Sequence, residues 1–139
     1  MNAYQLLKQK QQKEFSQFPM FFAFSEKQFN EGMAKLGLSP TETDKIYSFG
    51  AGGFYKKSDS KKLRDMLDRF DEELISAIND KISGKKFCFD MFSYELANHE
   101  YGYTGDLQET IDAVGYTLDE INANKNLING LARAVKEAW

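Results

Sequence analysis

The chain has 139 residues, 42% of them hydrophobic and 14% aromatic, and this length predicts a single domain, residues 1–139, with a sizeable core. One cysteine excludes an intrachain disulfide, and no apolar run has the length of a secretory signal or a membrane span. We therefore expect a cytoplasmic protein without membrane contact, and its net charge of −3 favours basic partners over nucleic acid.

The first part of the chain predicts a helix, a strand and a second helix. The first helix covers Asn2–Gln17, with Asn2 as its N-cap. The apolar run Met20–Phe24 has the length of a central strand. The second helix begins after Ser25, whose spacing to Gln28 is that of a capping box.

A glycine-rich loop separates two strand-like runs in the middle of the chain. Lys45–Phe49 and Phe54–Lys57 flank the loop Gly50–Gly53, and this arrangement predicts a β-hairpin. The loop lacks the glycine spacing of phosphate-binding loops, so turn geometry explains its glycines better. The longest predicted helix follows the hairpin, with Ser58 or Asp59 as its cap.

The segment Phe87–Tyr103 contains the single cysteine and the single histidine of the chain. Phe87–Phe89 alternates in the manner of a strand but is too short to be assigned as one. Asp90 is the candidate N-cap of a helix whose apolar face includes His99, and Gly102 is expected to end that helix.

Glu95, His99 and Glu100 are the candidate acid–base or metal-ligating residues. A glutamate four residues before a histidine places both side chains over one helical turn, where a carboxylate orients an imidazole or shares a metal with it. Zinc sites normally need three or four nitrogen and sulfur ligands, and this chain has one histidine and one cysteine. The sequence therefore favours a hydrogen-bonded histidine in the core, and we assign no catalytic residue, metal site or cofactor.

The chain after Gly102 predicts three short helices. Thr117 and Glu120 have capping-box spacing, and Asn124 opens the last helix. Trp139 is expected to dock back on the core or to contact a neighbouring molecule.

Three predicted strands beside largely segregated helices define the fold class. We expect an α+β fold, in which a small antiparallel sheet of about three strands packs against several helices. The C-terminal half is helix-rich, and no linker divides the chain.

The stretch Asp90–Glu120 has eight acidic residues and no Lys or Arg. Such a surface attracts basic protein surfaces and repels nucleic acid, although some of these acids also suit helix caps or a solvated face. The predicted acidic contacts are Asp90, Glu95, Glu100, Asp106, Glu109, Asp112, Asp119 and Glu120. The predicted aromatic anchors for a partner are Tyr94, Tyr101, Tyr103 and Tyr116.

Three stretches carry a resemblance to known proteins: Phe18–Phe24, Gly50–Tyr55 and Tyr94–Tyr101. They resemble an uncharacterised family of small acidic proteins from phages and mobile elements of gut bacteria. Small acidic proteins of this origin include anti-CRISPR inhibitors of type II-A effectors such as Cas9. By analogy of size, charge and origin, the resemblance implies an inhibitor that acts in the cytoplasm of the host cell.

These observations predict a non-enzymatic inhibitor that binds the basic surface of a nucleic-acid-handling protein, such as a CRISPR effector. Two alternatives stay open. One is a small hydrolase-like or metal-binding enzyme centred on His99. The other is a nucleic-acid-binding module in the basic hairpin region, although the acidic composition argues against direct nucleic-acid binding. The contacts of that module are Phe54, Tyr55, Lys56, Lys57, Lys61 and Lys62.

Overall fold

The protein has the α+β fold that its sequence predicts, with 68% of its residues in helices and one small antiparallel sheet. The structure is a computed structural model that describes residues 1–138, so the predicted docking of Trp139 lies outside the described residues. The α-helices of the described chain are α1 Ala3–Ser16, α2 Glu26–Lys35, α3 Ser60–Ile78, α4 Gly84–Asn98, α5 Tyr101–Thr104, α6 Gln108–Val114, α7 Leu118–Ala123 and α8 Lys125–Glu137. Its strands are β1 Phe21–Phe22, β2 Ile46–Ser48 and β3 Gly53–Lys56.

Two compact units make up the chain, and each has its own hydrophobic core. The sheet unit is Lys13–Arg69, and the helical unit is Met1–Gln12 together with the residues from Phe70 on. The single domain over residues 1–139 stays a prediction. Among residues 1–138, no helix combines the length and apolar character needed to cross a lipid bilayer.

Helix α4 is the centre of the helical unit. It packs mainly against α8 and also contacts α5 and α6. Its buried residues include Phe87 and Leu96, which are nine residues apart and therefore lie on opposite sides of the helix. A helix that is apolar on most sides is expected in the middle of a core, because every side faces another element.

The strand-like alternation at Phe87–Phe89 does not correspond to a strand, because these residues lie in α4. Asp90 is likewise not an N-cap, since α4 begins two turns earlier at Gly84. Asp90 instead accepts a 2.8 Å bond from Lys86 Nζ on the preceding turn. The predicted stop at Gly102 is also wrong: α4 ends at Asn98, and Glu100 takes the left-handed backbone conformation there.

The sheet has the order β1–β3–β2, and both pairings are antiparallel. The Met20–Phe24 run therefore gives an edge strand of two residues, not the central strand that its length predicts. After the strand, Phe24 N donates to Gln28 Oε1 in the first turn of α2, so this amide pairs with the helix and not with a neighbouring strand. The buried core of the unit is formed by Phe21, Met33, Leu36 and Ile46.

The hairpin between β2 and β3 is confirmed. Gly50 and Gly52 have φ angles of 83° and 77°, which glycine adopts without strain. Three predicted caps are also confirmed: Asn2 accepts from Gln5 N, Ser25 accepts from Gln28 N, and Thr117 forms both bonds of a capping box with Glu120. Local hydrogen bonding therefore sets these turns and helix starts.

Candidate functional site

The eight carboxylates of Asp90–Glu120 divide into two buried and six exposed groups. Asp90 and Glu95 lie on α4 and are 7% and 1% exposed, so neither belongs to a surface that a partner can reach. The other six side chains are exposed on the helical unit, and we call them the acidic surface. The acidic surface consists of Glu100, Asp106, Glu109, Asp112, Asp119 and Glu120.

Several residues of the acidic surface also stabilise local structure. Asp106 accepts from Gln108 N near the start of α6. Glu120 closes the capping box of α7, and its pKa is lowered chiefly by the backbone bond from Thr117. By contrast, the side chains of Glu100 and Asp119 make no hydrogen bond or ion pair with any residue in the described part of the chain. These two carboxylates are therefore fully available to a partner.

Glu95 is the centre of a buried polar network in the helical unit. Its carboxylate accepts a 2.9 Å bond from Tyr4 Oη and a 3.1 Å bond from Lys8 Nζ. The Nε2 atom of His99 lies 3.3 Å from the second carboxylate oxygen. A buried carboxylate is tolerated only when it is paired and hydrogen-bonded, and Glu95 meets both conditions.

Tyr4 and Lys8 complete this network from one face of α1. Burial raises the pKa of the Tyr4 phenol, and the bond to Glu95 raises it further, so the phenol remains a donor. The ammonium of Lys8 lies 5.4 Å from the Tyr4 ring centroid and 5.8 Å from that of Tyr94. Sequence analysis missed both residues, because no local pattern links α1 to a carboxylate about ninety residues later.

His99 lies between two carboxylates and is 27% exposed on its side chain. Its Nδ1 atom is 3.4 Å from Glu109, while Nε2 faces Glu95. Both ring nitrogens therefore face protein carboxylates. This geometry suits a residue that links α4 to α6 across the network.

Other features of the helical unit bear on the enzyme alternative. Among residues 1–138, no group of three or more His, Cys, Asp and Glu side chains is arranged to hold a metal ion. Burial raises the pKa of the Cys88 thiol to about 12, so this thiol stays protonated at neutral pH. The contacts of His99 with Glu95 and Glu109 join α4 to α6.

The four predicted tyrosine anchors differ greatly in exposure. Tyr101 is buried, and Tyr94 and Tyr116 are partly buried. Tyr103 is 92% exposed on α5, beside the acidic surface residue Glu100. Of the four, Tyr103 is the residue placed to anchor a partner.

The six predicted nucleic-acid contacts of the hairpin region do not share one surface. Phe54 faces the core, where its ring stacks on Phe21 with centroids 5.3 Å apart. Tyr55 lies on the other face of β3 and contacts Tyr47 at 5.9 Å. The remaining four, Lys56, Lys57, Lys61 and Lys62, are partly or fully exposed. Tyr47 is a residue that sequence reasoning missed, and its alternation with the buried Ile46 was the available signal.

The fold and these sites describe a small α+β protein with an acidic helical unit and an aromatic, basic sheet unit. Residues 3–137 match a protein family described as a family of unknown function, DUF7659, so the chain belongs to this family. No curated protein and no solved structure shows a significant match to the chain.

Proposed function

We propose that this protein is a non-enzymatic inhibitor from a mobile element, which binds the basic surface of a nucleic-acid-handling host protein. The observation that carries the proposal is the acidic surface, where six carboxylates are exposed in a stretch without Lys or Arg. In its narrower form, based on the resemblance in sequence, the protein is of the anti-CRISPR type and blocks a type II-A effector such as Cas9.

Charge distribution supports a protein partner with a basic surface. The helical unit has thirteen Asp and Glu against eight Lys and Arg, so it carries the whole negative excess of the chain. Complementary charge speeds encounter with a basic partner and excludes acidic ones. Proteins that hold nucleic acid expose many Lys and Arg side chains that bind its phosphates. Such proteins therefore have the basic surface that the acidic surface would bind.

The proposed mechanism is competition for a phosphate-binding site. Carboxylates of the acidic surface pair with the Arg and Lys groups that otherwise hold the nucleic-acid backbone. Tyr103 supplies an aromatic contact next to these charges. Because Coulombic attraction between exposed charges is screened by salt, affinity should fall steeply as salt rises.

The first test measures binding and inhibition with purified Cas9 and its guide RNA. The test variant combines Glu100→Gln, Asp112→Asn and Asp119→Asn, which remove charge while retaining hydrogen-bonding capacity. We expect affinity at low salt to fall at least about tenfold, mainly through a slower association rate. Tyr103→Ala should weaken binding by about thirtyfold if the ring is a central contact.

A charge-matched control lies in the sheet unit. The control variant combines Glu26→Gln, Glu31→Gln and Asp44→Asn, three exposed acids that do not belong to the acidic surface. Equal loss of affinity in both triple variants, or binding that ignores salt, would contradict the acidic-surface mechanism. Absence of Cas9 binding would remove the anti-CRISPR form, and nuclease-treated pull-downs from host lysate then test other basic partners.

A further inference from the structure

A cleft of about 610 Å³ lies entirely within the sheet unit, between the β2–β3 hairpin and the first part of α3. Two tyrosines of the hairpin, Tyr47 and Tyr55, form one wall. The α3 wall presents polar residues at i, i+4 and i+8, which places them on one helical face. These polar residues are Ser60, Arg64 and Asp68, and Leu63 and Leu67 lie between them. We call this feature the aromatic cleft.

The tyrosine wall belongs to a row of aromatic rings on one side of the sheet. Ring centroids are 5.9 Å apart for Tyr47 and Tyr55, 5.6 Å for Tyr55 and Phe49, and 5.7 Å for Phe49 and Phe22. Tyr47 is 47% exposed, and Phe49 and Phe22 are also exposed. Exposed aromatic faces of this kind are stacking platforms for unpaired bases, because every base has a π-face.

Two cationic side chains lie at the same cleft. The Lys57 ammonium lies 4.9 Å from the Tyr47 ring centroid. Arg64 is exposed and makes no ion pair or hydrogen bond with any residue from 1 to 138. The sheet unit as a whole has ten Lys and Arg against eight Asp and Glu, so its charge is opposite to that of the helical unit. Within the cleft, Asp68 is the acidic residue of the lining, and its carboxylate is suited to accept from a base amino group or a sugar hydroxyl.

A buried hydroxyl in the lining also lacks a partner. The Oγ atom of Ser60 is inaccessible to solvent and has no hydrogen-bond partner within the described chain. Buried polar groups are normally hydrogen-bonded, so this hydroxyl is an exception in the lining of the cleft.

We propose that the aromatic cleft binds single-stranded nucleic acid. Bases stack on Tyr47 and Tyr55, while Arg64 and Lys57 bind the phosphates. A duplex does not fit this chemistry, since its base faces are already stacked. The proposal is independent of the acidic surface, which lies on the helical unit. It differs from the contacts predicted from the sequence in that Tyr47, and not Phe54, stacks on a base.

The test measures fluorescence anisotropy of a labelled oligothymidylate of about ten nucleotides with the full chain at low salt. Tyr47→Ala should weaken binding by about 5- to 100-fold, because it removes one stacking platform. Tyr47→Phe should retain the affinity, since the ring remains. Arg64→Gln should weaken binding and make the slope of log affinity against log salt shallower by about 0.7.

Two variants of the same unit serve as matched controls. Phe24→Ala removes an exposed aromatic ring and Lys35→Gln an exposed charge, and neither residue lines the aromatic cleft. Both should leave the affinity unchanged. No binding by the wild type, or equal losses in the control variants, would overturn the proposal. So would equal competition by a duplex or by thymidine monophosphate, because either result means that a single strand is not preferred.

Discussion

Glu95 shows how one residue acts in this fold. It is the most deeply buried carboxylate of the described chain, and it contacts Tyr4, Lys8 and His99 at the same time. Thr110 adds a bond from its hydroxyl to the Glu95 backbone oxygen. Partners from α1 and α6 thus converge on one residue of α4, so the network fixes the packing of these segments.

We expect Glu95→Ala to lower the free energy of unfolding by about 3 kcal/mol, because the buried Tyr4 hydroxyl loses its acceptor. Tyr4→Phe removes that hydroxyl together with the need for an acceptor. In the Tyr4→Phe background, Glu95→Ala should therefore be less destabilising by about 1–2 kcal/mol. Urea denaturation of the wild type, both single variants and the double variant measures this coupling.

Glu109→Ala is the matched control for this cycle. Glu109 also contacts His99, but its side chain is mostly exposed, so water replaces the lost contact. Its removal should change the unfolding free energy by no more than about 0.5 kcal/mol. Additive effects of Tyr4→Phe and Glu95→Ala would show that the buried bond contributes little.

At the scale of elements, the predictable parts of the fold are those that short-range chemistry determines. The hairpin at Gly50–Gly53 and the caps at Ser25 and Thr117 depend on residues within a few positions of each other, and all three are confirmed. Helix α4 was placed only in part in this way: the spacing of Phe92, Leu96 and His99 indicates its second half, whereas its start at Gly84 was missed. In the first half the apolar residues of Phe87–Phe89 are consecutive, so they show no 3.6-residue pattern.

Close packing against α8 explains why α4 tolerates this composition. A side-chain Cβ at Gly130 of α8 would lie 2.6 Å from the Cβ of Cys88. Glycine at this position therefore lets the two helices approach closely. The buried network of Glu95 also could not be predicted from the sequence. The sequence shows that Glu95 and His99 are one helical turn apart, but it does not show that Tyr4 and Lys8 of α1 donate to Glu95.

The capping box of α7 makes a prediction about pH. The backbone bond from Thr117 lowers the pKa of Glu120 in the folded protein relative to the unfolded chain. The resulting stabilisation is present above the unfolded pKa of about 4.3 and is lost as pH falls through the lower folded value. The stability difference between wild type and Glu120→Gln should therefore shrink as urea denaturation is repeated from neutral pH down to acidic pH.

Asp119→Asn is the control for this experiment. It removes one negative charge from the adjacent position, where the side chain makes no capping bond within the described chain. If both variants show the same pH profile relative to wild type, general loss of charge explains the effect and the capping bond does not.

At the scale of the whole molecule, the two units differ in both charge and core size. Among residues 1–138, the helical unit has thirteen buried hydrophobic residues in one cluster, whereas the sheet unit has four. The charge total of −3 conceals an acidic helical unit and a basic sheet unit. Sequence composition alone gives the net charge of the chain. How this charge divides between the two units can be counted only when the boundaries of the units are known from the structure.

We expect the sheet unit to open before the helical unit, because local stability rises with the number of buried apolar contacts and the sheet unit has the smaller core. This expectation also holds for a single domain. Met33→Ala in the sheet unit and Met91→Ala in α4 are a matched pair, since both methionines are fully buried. Met33→Ala should lower the opening free energy of amides in β2 and β3 by about 2–5 kcal/mol and leave α4 amides unchanged. Native-state hydrogen exchange measures both sets of amides in one experiment. Met91→Ala should accelerate exchange throughout α4, and an equal shift of both sets in either variant would mean that the chain opens as one cooperative unit.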